Sequence, residues 1–160
     1  MQLPDLVALC EVENDSVLFD LTKRSVIRTA GYEYVMTHSP DERGIDVALM
    51  YQPFSFSLIH SWSIRVKRLP DTRPTRDILY VSGRVITGDT LHVFVVHAPS
   101  RRGGERESRP YRLQVASQLA EAVDSIYALQ SRAKIIVAGD FNDYHDSPAL
   151  EYLYQHHLIN

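Results

Sequence analysis

Residues 134–143 read KIIVAGDFND, an apolar run that opens abruptly into Gly-Asp-Phe-Asn-Asp. The apolar part, Ile135 to Ala138, has the length and β-branched content of a buried strand. On leaving the core the chain sets two acids and an amide at the exit. Two other runs end in the same manner: LVALC (residues 6–10) runs into Glu11, and VFVV (residues 93–96) runs into His97. Groups at strand exits stand on a rigid sheet yet face solvent, so they keep a fixed geometry where a substrate can reach them. If the three strands are neighbours, Glu11, His97, Asp140 and Asn142 converge on one rim.

The segment ahead of this strand is the clearest helix. It is expected to begin at Ser108 with Pro110 in its first turn, where a missing N–H is tolerated. Its apolar stripe of Leu113, Ala116, Leu119, Ala120, Val123, Ile126 and Tyr127 follows a period close to 3.6 and packs one face onto a sheet. After the Asp/Asn loop, a short helix is expected around residues 147–156. Upstream, YEYVM, IDVALMY, a looser stretch near FSFSLIHSWSIRV, DILYVSGRVI and LHVFVV read as strands. Turns fall at residues 38–44, 70–75 and 87–89. Five strands in succession point to an antiparallel or mixed sheet. DSVLFDLTKRSVIRTAGY, residues 15–32, reads as a surface helix capped at Asp15 or Ser16 and stopped at Gly31. There is no internal repeat and no linker.

A chain of 160 residues supports one domain with a real core, and residues 1–160 read as a single unit. With 44% apolar and 23% charged residues and no low-complexity tract, a disordered chain is excluded. The lone Cys10 excludes an internal disulfide and a cysteine cluster for zinc, and reads as a small core residue rather than a nucleophile. No apolar run approaches the roughly 20 residues of a membrane helix. The start, MQLPDLVALCEVEN, has no basic segment or small-residue cleavage site, so a soluble protein without a signal peptide is expected and its compartment is open.

The net charge of −3 is unevenly spread. RVKRLPDTRPTR (residues 65–76) holds five cations and one acid, and RRGGERESRPYR (residues 101–112) five cations and two acids. Two basic segments on an otherwise acidic chain fit local recognition of an anion such as phosphate, or two solvated loops, better than a broad nucleic-acid stripe. Trp62 and the nine Tyr show no spaced stacking pattern.

Glu11 and Asp140 suit a hard cation such as magnesium, which takes oxygen ligands from one or two carboxylates and from substrate phosphate. A carboxylate or histidine orients or deprotonates water, and amide and imidazole groups donate to a developing oxyanion. Phosphoester hydrolysis needs all of these. As plain structural elements, Glu11 is a solvated strand-end acid, His97 a satisfied strand-end histidine, and Asp140 with Asn142 an Asx turn. Arg43 and Asp46 are then an ion pair, and Asp143 is the turn residue.

In this order, LVALCEVEN, RGIDVALMY, VVHAPSRRGGE and VAGDFND resemble the endonuclease/exonuclease/phosphatase superfamily over most of the chain. The resemblance implies an α/β (α+β) fold, a two-sheet mixed β-sandwich flanked by helices and deoxyribonuclease-like, with the catalytic groups at one end. It implies that Glu11 binds the metal, Mg2+ or Mn2+. His97 stabilises the phosphate in the transition state, Asp140 orients or activates the attacking water and shares the metal, and Asn142 holds phosphate and metal. Arg43, Asp46, Arg101 and Arg102 lie in segments placed to bind substrate. The implied partner is a phosphate ester, DNA or RNA among the choices. A strand with an asparagine ahead of Glu11 and a terminal Ser-Asp-His motif also belong to that pattern. Neither occurs here, so a partial domain lacking the first strand and the C-terminal strands is expected. His145, His156 and His157 are surface groups by their setting rather than substitutes for that terminal histidine. Two functions compete: a metal-dependent phosphoesterase, and a truncated, non-catalytic anion-binding or remnant domain of the same fold.

Overall fold

The computed structural model describes residues 3–70 and 74–159. In chain order the elements are β1 (Leu6–Val12), α1 (Asp15–Phe19), a π-turn (Asp20–Arg24), a 3-10 turn (Arg28–Ala30), β2 (Glu33–Met36), β3 (Asp46–Tyr51) and β4 (Phe56–Ile64). There follow β5 (Ile78–Val85), β6 (Thr90–His97), α2 (Glu105–Leu129), β7 (Lys134–Asp140) and α3 (Pro148–Tyr154). The strands form two sheets, ordered β1-β3-β2 and β4-β5-β6-β7. All pairs are antiparallel except β6 with β7, which is parallel and joined through α2. This is the expected two-sheet mixed sandwich flanked by helices.

Alternation sorts the side chains into layers. Val47, Leu49, Leu79, Val81, Val93 and Val95 fill the space between the sheets. Ile78, Tyr80, Phe94 and Val96 point the other way and meet Val115, Leu119 and Val123 of α2 and Leu153 of α3. Ala48, on the outer face of the smaller sheet, packs with Leu18 of α1. With both faces of β3, β5 and β6 covered, these strands are apolar nearly throughout, which is why they stand out as continuous runs. No helix among the described residues is long and apolar enough to cross a membrane.

Three expectations change. The helix foreseen over residues 15–30 is broken into three short pieces. Ser25 takes the Leu21 carbonyl with its hydroxyl at 2.6 Å and receives the Ile27 N–H at 3.2 Å, which draws the backbone out of the helical pattern. The cap is Asn14, whose Oδ1 accepts from Val17 N–H at 3.1 Å, one residue ahead of the expected Asp15 or Ser16. Gly31 does close the last turn, in a left-handed conformation with φ 71. α2 begins at Glu105, not Ser108, because Gly104 serves as its N-cap and Ser108 N–H already bonds back to Gly104 O at 3.1 Å. Pro110 is therefore inside the helix. The looser stretch is a strand as expected: it forms the edge strand β4, exposed along nearly its whole length and with its register shifted between Leu58 and His60. The turn expected at residues 70–75 falls mostly on 71–73, outside the described residues.

Candidate active site

The three apolar runs end together. His97 stands opposite Asp140 in the β6–β7 register, and Ala98 N–H donates to Asp140 O at 2.8 Å. His97 Nε2 lies 4.0 Å from Asp140 Oδ2. β1 reaches the same end from the other sheet: Cys10 Sγ donates to Val96 O at 3.6 Å, and Glu11 and Asp140 both act electrostatically on Cys10 and His97.

The backbone is unusual wherever these side chains leave the sheet. The register of β1 against β3 slips between Cys10 and Val12, which makes Glu11 the extra residue of a bulge, at φ 60. Such bulges re-aim a side chain out of the ladder. Val12 turns into the core while Glu11 faces solvent. On β7, Gly139 has φ 133, and a Cβ there would stand 1.9 Å from Val96 O. Only glycine lets β7 lie this close to β6 one residue before Asp140. Asn142, at φ 50, is left-handed, a conformation that asparagine tolerates.

Asn142 N–H donates to Asp140 Oδ1 at 2.8 Å, and its side-chain Nδ2 donates to Ala98 O at 2.9 Å. The Asx turn is thus real, and it leaves Asp140 Oδ2 directed toward His97 and solvent. The Asp140 side chain is 55% exposed. His97 is buried, and burial holds its imidazole below the ordinary histidine value; the Arg76 guanidinium pushes the same way, against Asp140 and Glu11. Burial thus favours the uncharged imidazole. Burial pushes the Cys10 thiol up, in keeping with a packed residue that is no nucleophile.

Two buried arginines escaped the sequence reading. Arg76 donates to His97 O at 3.2 Å, to Ala98 O at 2.8 Å and to Asp41 Oδ2 at 3.2 Å, so it braces the backbone behind His97. Arg112 is 1% exposed and donates from Nε to Asp143 Oδ2 at 2.8 Å and from Nη1 to Ser108 Oγ at 2.7 Å. Asp143 is therefore more than a turn residue: it ties the loop to α2. Burial alone would raise the Asp143 carboxyl, and the hydrogen bond and charge of Arg112 more than offset that and hold it low. A signal for Arg112 was present, since Ser108, Arg112, Val115 and Leu119 fall on one helical face and all are buried. Arg76 had none beyond its place before β5.

Arg43 and Asp46 do not pair with each other. Arg43 lies against Asp41, with Nε 3.5 Å from Oδ1 and a side chain 54% exposed, close enough for its charge to act on His97. Asp46 is buried, and its Oδ1 accepts from Thr37 Oγ1 at 2.7 Å and Ser39 N–H at 2.8 Å, bracing the loop ahead of β3. Arg101 donates to Asn142 O at 3.2 Å and stacks its guanidinium 4.0 Å over Tyr144. Arg102 faces a groove beside the rim. His156 and His157 pack elsewhere, against Asp124 and Tyr127.

Among the described residues no three His, Cys, Asp or Glu side chains form a metal-holding group. Glu11 and Asp140 nevertheless offer two solvent-facing carboxylates, a donor set that fits a hard cation which keeps most of its waters.

Residues 1–156 match the family model described as Endonuclease/Exonuclease/phosphatase family. Comparison with proteins of curated function finds no match. Among solved structures, the human Nocturnin catalytic domain with bound sulfate anion is similar with TM-score 0.73 and 23% identity, over 93% of this chain and 55% of that one. ANGEL2, a 2',3'-cyclic phosphatase, is similar with TM-score 0.71 and 21% identity, over 94% and 43%. D. rerio TDP2 complexed with single strand DNA product gives TM-score 0.65 and 19% identity, over 94% and 52%. The chain spans about half the length of the solved structures it matches.

Proposed function

The chain belongs to the endonuclease/exonuclease/phosphatase family, and from that premise we propose that it is a divalent-metal-dependent phosphoester hydrolase, a nuclease or phosphatase. The observation that carries this reading is the meeting of His97 and Asp140 at 4.0 Å, with the charge of Glu11, borne on the other sheet, reaching both His97 and its neighbour Cys10. Glu11 and Asp140 would hold Mg2+ or Mn2+, which when bound neutralises charge on the phosphate. Asp140 Oδ2, the oxygen not committed to the Asx turn, orients or deprotonates the attacking water. His97, its backbone held from behind by Arg76 and its uncharged form favoured by burial, would donate from Nε2 to a phosphate oxygen in the tautomer that carries the proton there. Asn142 has a second amide hydrogen beyond the one given to Ala98 O, and offers it at the same place. Arg43 and Arg101 flank the phosphate; Asp46 acts through the loop it braces. ANGEL2 as a 2',3'-cyclic phosphatase and TDP2 with a DNA product make nucleic-acid phosphate esters the first substrates to try.

A second reading, a non-catalytic anion-binding domain of the same fold, is favoured by the gathering of cations from both basic segments, Lys67 and Arg102 among them, along one groove. Hydrolysis of bis-p-nitrophenyl phosphate and plasmid DNA with magnesium separates the two. The hydrolase reading expects turnover that falls by about 10²-fold or more on Asp140→Asn and on Glu11→Gln with the fold retained. Activity indifferent to both changes would end it.

A further inference from the structure

Both basic segments of the sequence reach one groove of about 700 Å³ beside the rim. Arg76, which braces the His97 and Ala98 carbonyls, lines it, and Pro99 and Ser100 carry its wall on from Ala98. Lys67 comes from the first segment and Arg102 from the second. Neither side chain makes an ion pair or hydrogen bond among the described residues, although Lys67 is pinned by its backbone N–H, which donates to Gln118 Oε1 at 2.7 Å. Thr75 Oγ1, also on the groove, is buried and has no hydrogen-bond partner among the described residues. Three acids line the groove: Asp41 is committed to Arg76 and Arg43, the Glu107 carboxylate lies folded back over Gly104, and Glu42 also has a partner. Unpaired cations on a convex surface are simply solvated, but on a concave one they focus a field onto whatever enters.

Resting on the hydrolase reading, we propose that this groove is a subsite for a second phosphate group, carried on the substrate beyond the one that reacts at the rim, with Lys67 and Arg102 taking it. The groove then sets specificity: it favours esters bearing two phosphates over those bearing one, without touching the reacting atoms.

The test is calorimetric binding to the whole chain without divalent metal, so that no turnover is needed. Two ligand pairs differ only by a phosphate: the dithymidine dinucleotide TpT against its 5′-phosphorylated form pTpT, and fructose 1-phosphate against fructose 1,6-bisphosphate. The second phosphate is expected to tighten binding about 10-fold or more in at least one pair, in keeping with charge-assisted bonds to two cations. Lys67→Gln and Arg102→Gln should each bring that ratio toward one, and Lys67→Arg should keep it. Preference in the dinucleotide pair alone identifies a nucleotide substrate, in the sugar pair alone a sugar phosphate, and in both a phosphate read regardless of scaffold. Equal affinities within both pairs, or a ratio that survives both glutamine variants, overturns the subsite. Hydrolysis of TpT with magnesium, followed separately, reports on the rim: a chain that keeps the binding ratio and never cleaves has lost the hydrolase reading and not the anion site.

Discussion

At the β7 exit every functional group is tied down, whereas at the β1 exit almost nothing is. Asp140 sits after a glycine that allows close strand contact, its Oδ1 is bonded to Asn142 N–H, Asn142 reaches Ala98 O, and Arg112 anchors Asp143 one residue further on. Glu11 has only its bulge: among the described residues its carboxylate has no hydrogen bond or ion pair, and its backbone stands at φ 60. The difference teaches that the two carboxylates of one rim are prepared differently. On the proposed reading, one would be positioned before any ligand arrives, and the other left for a ligand to orient.

The clamped side breaks with the largest effects. Gly139→Ala sets a Cβ against Val96 O at a backbone angle that L side chains rarely adopt. We expect a loss of more than about 4 kcal/mol, read as a collapse of the urea midpoint. An unchanged midpoint would mean that β7 moves off β6 freely. Next comes Arg112→Met, which strands the Asp143 carboxylate in a buried setting, at about 3–5 kcal/mol. Arg112→Met with Asp143→Leu should recover much of this, since replacing both partners leaves no unpaired charge.

The same pair gives a prediction in pH. In the native protein Asp143 is held below its ordinary value, so its contribution is present above about pH 4, the unfolded value, and is lost as pH falls through the folded one. Without Arg112, burial, which raises the carboxyl, is opposed only by the hydrogen bonds of Tyr144 N–H and Ser147, so the depression shrinks. Arg112→Met should then lose less of its stability than the native protein does as pH falls from neutral through about 4. Parallel midpoint curves for the two proteins would show that Arg112 does not set the Asp143 titration.

What was legible followed from how each feature is encoded. Strands β3, β5 and β6 could be read because both their faces are buried, and the rim residues because each terminates such a run. Arg76 could not, since a charged residue is read as solvent-facing until a carbonyl cluster or an acid is known to lie beside it, and Arg112 showed only in sharing a helical face with Val115 and Leu119. The Glu11 bulge is a property of pairing with β3, and neither strand encodes a register alone. The helix after Asn14 broke where Ser25 competed for backbone hydrogen bonds, a choice between local alternatives of similar energy. The rim's residue types were therefore open to sequence reasoning, and the scaffold that holds them was not.

The smallest expected effect bears on the loose side and has the opposite sign. A non-glycine residue in the left-handed region costs about 1 kcal/mol or somewhat more, and the Glu11 carboxylate makes no hydrogen bond or ion pair among the described residues in return. Glu11→Gly should therefore leave the fold intact and stabilise it, by about 0.5–1 kcal/mol once the extra entropy of an unfolded glycine is deducted. Glu11→Ala keeps the strain and should show no such gain. If hydrolysis disappears in both while only the glycine variant becomes more stable, the strain at the β1 exit is a feature retained for the carboxylate it displays. If Glu11→Gly destabilises, the carboxylate makes a contact that holds the bulge, and the contrast between the two exits fails.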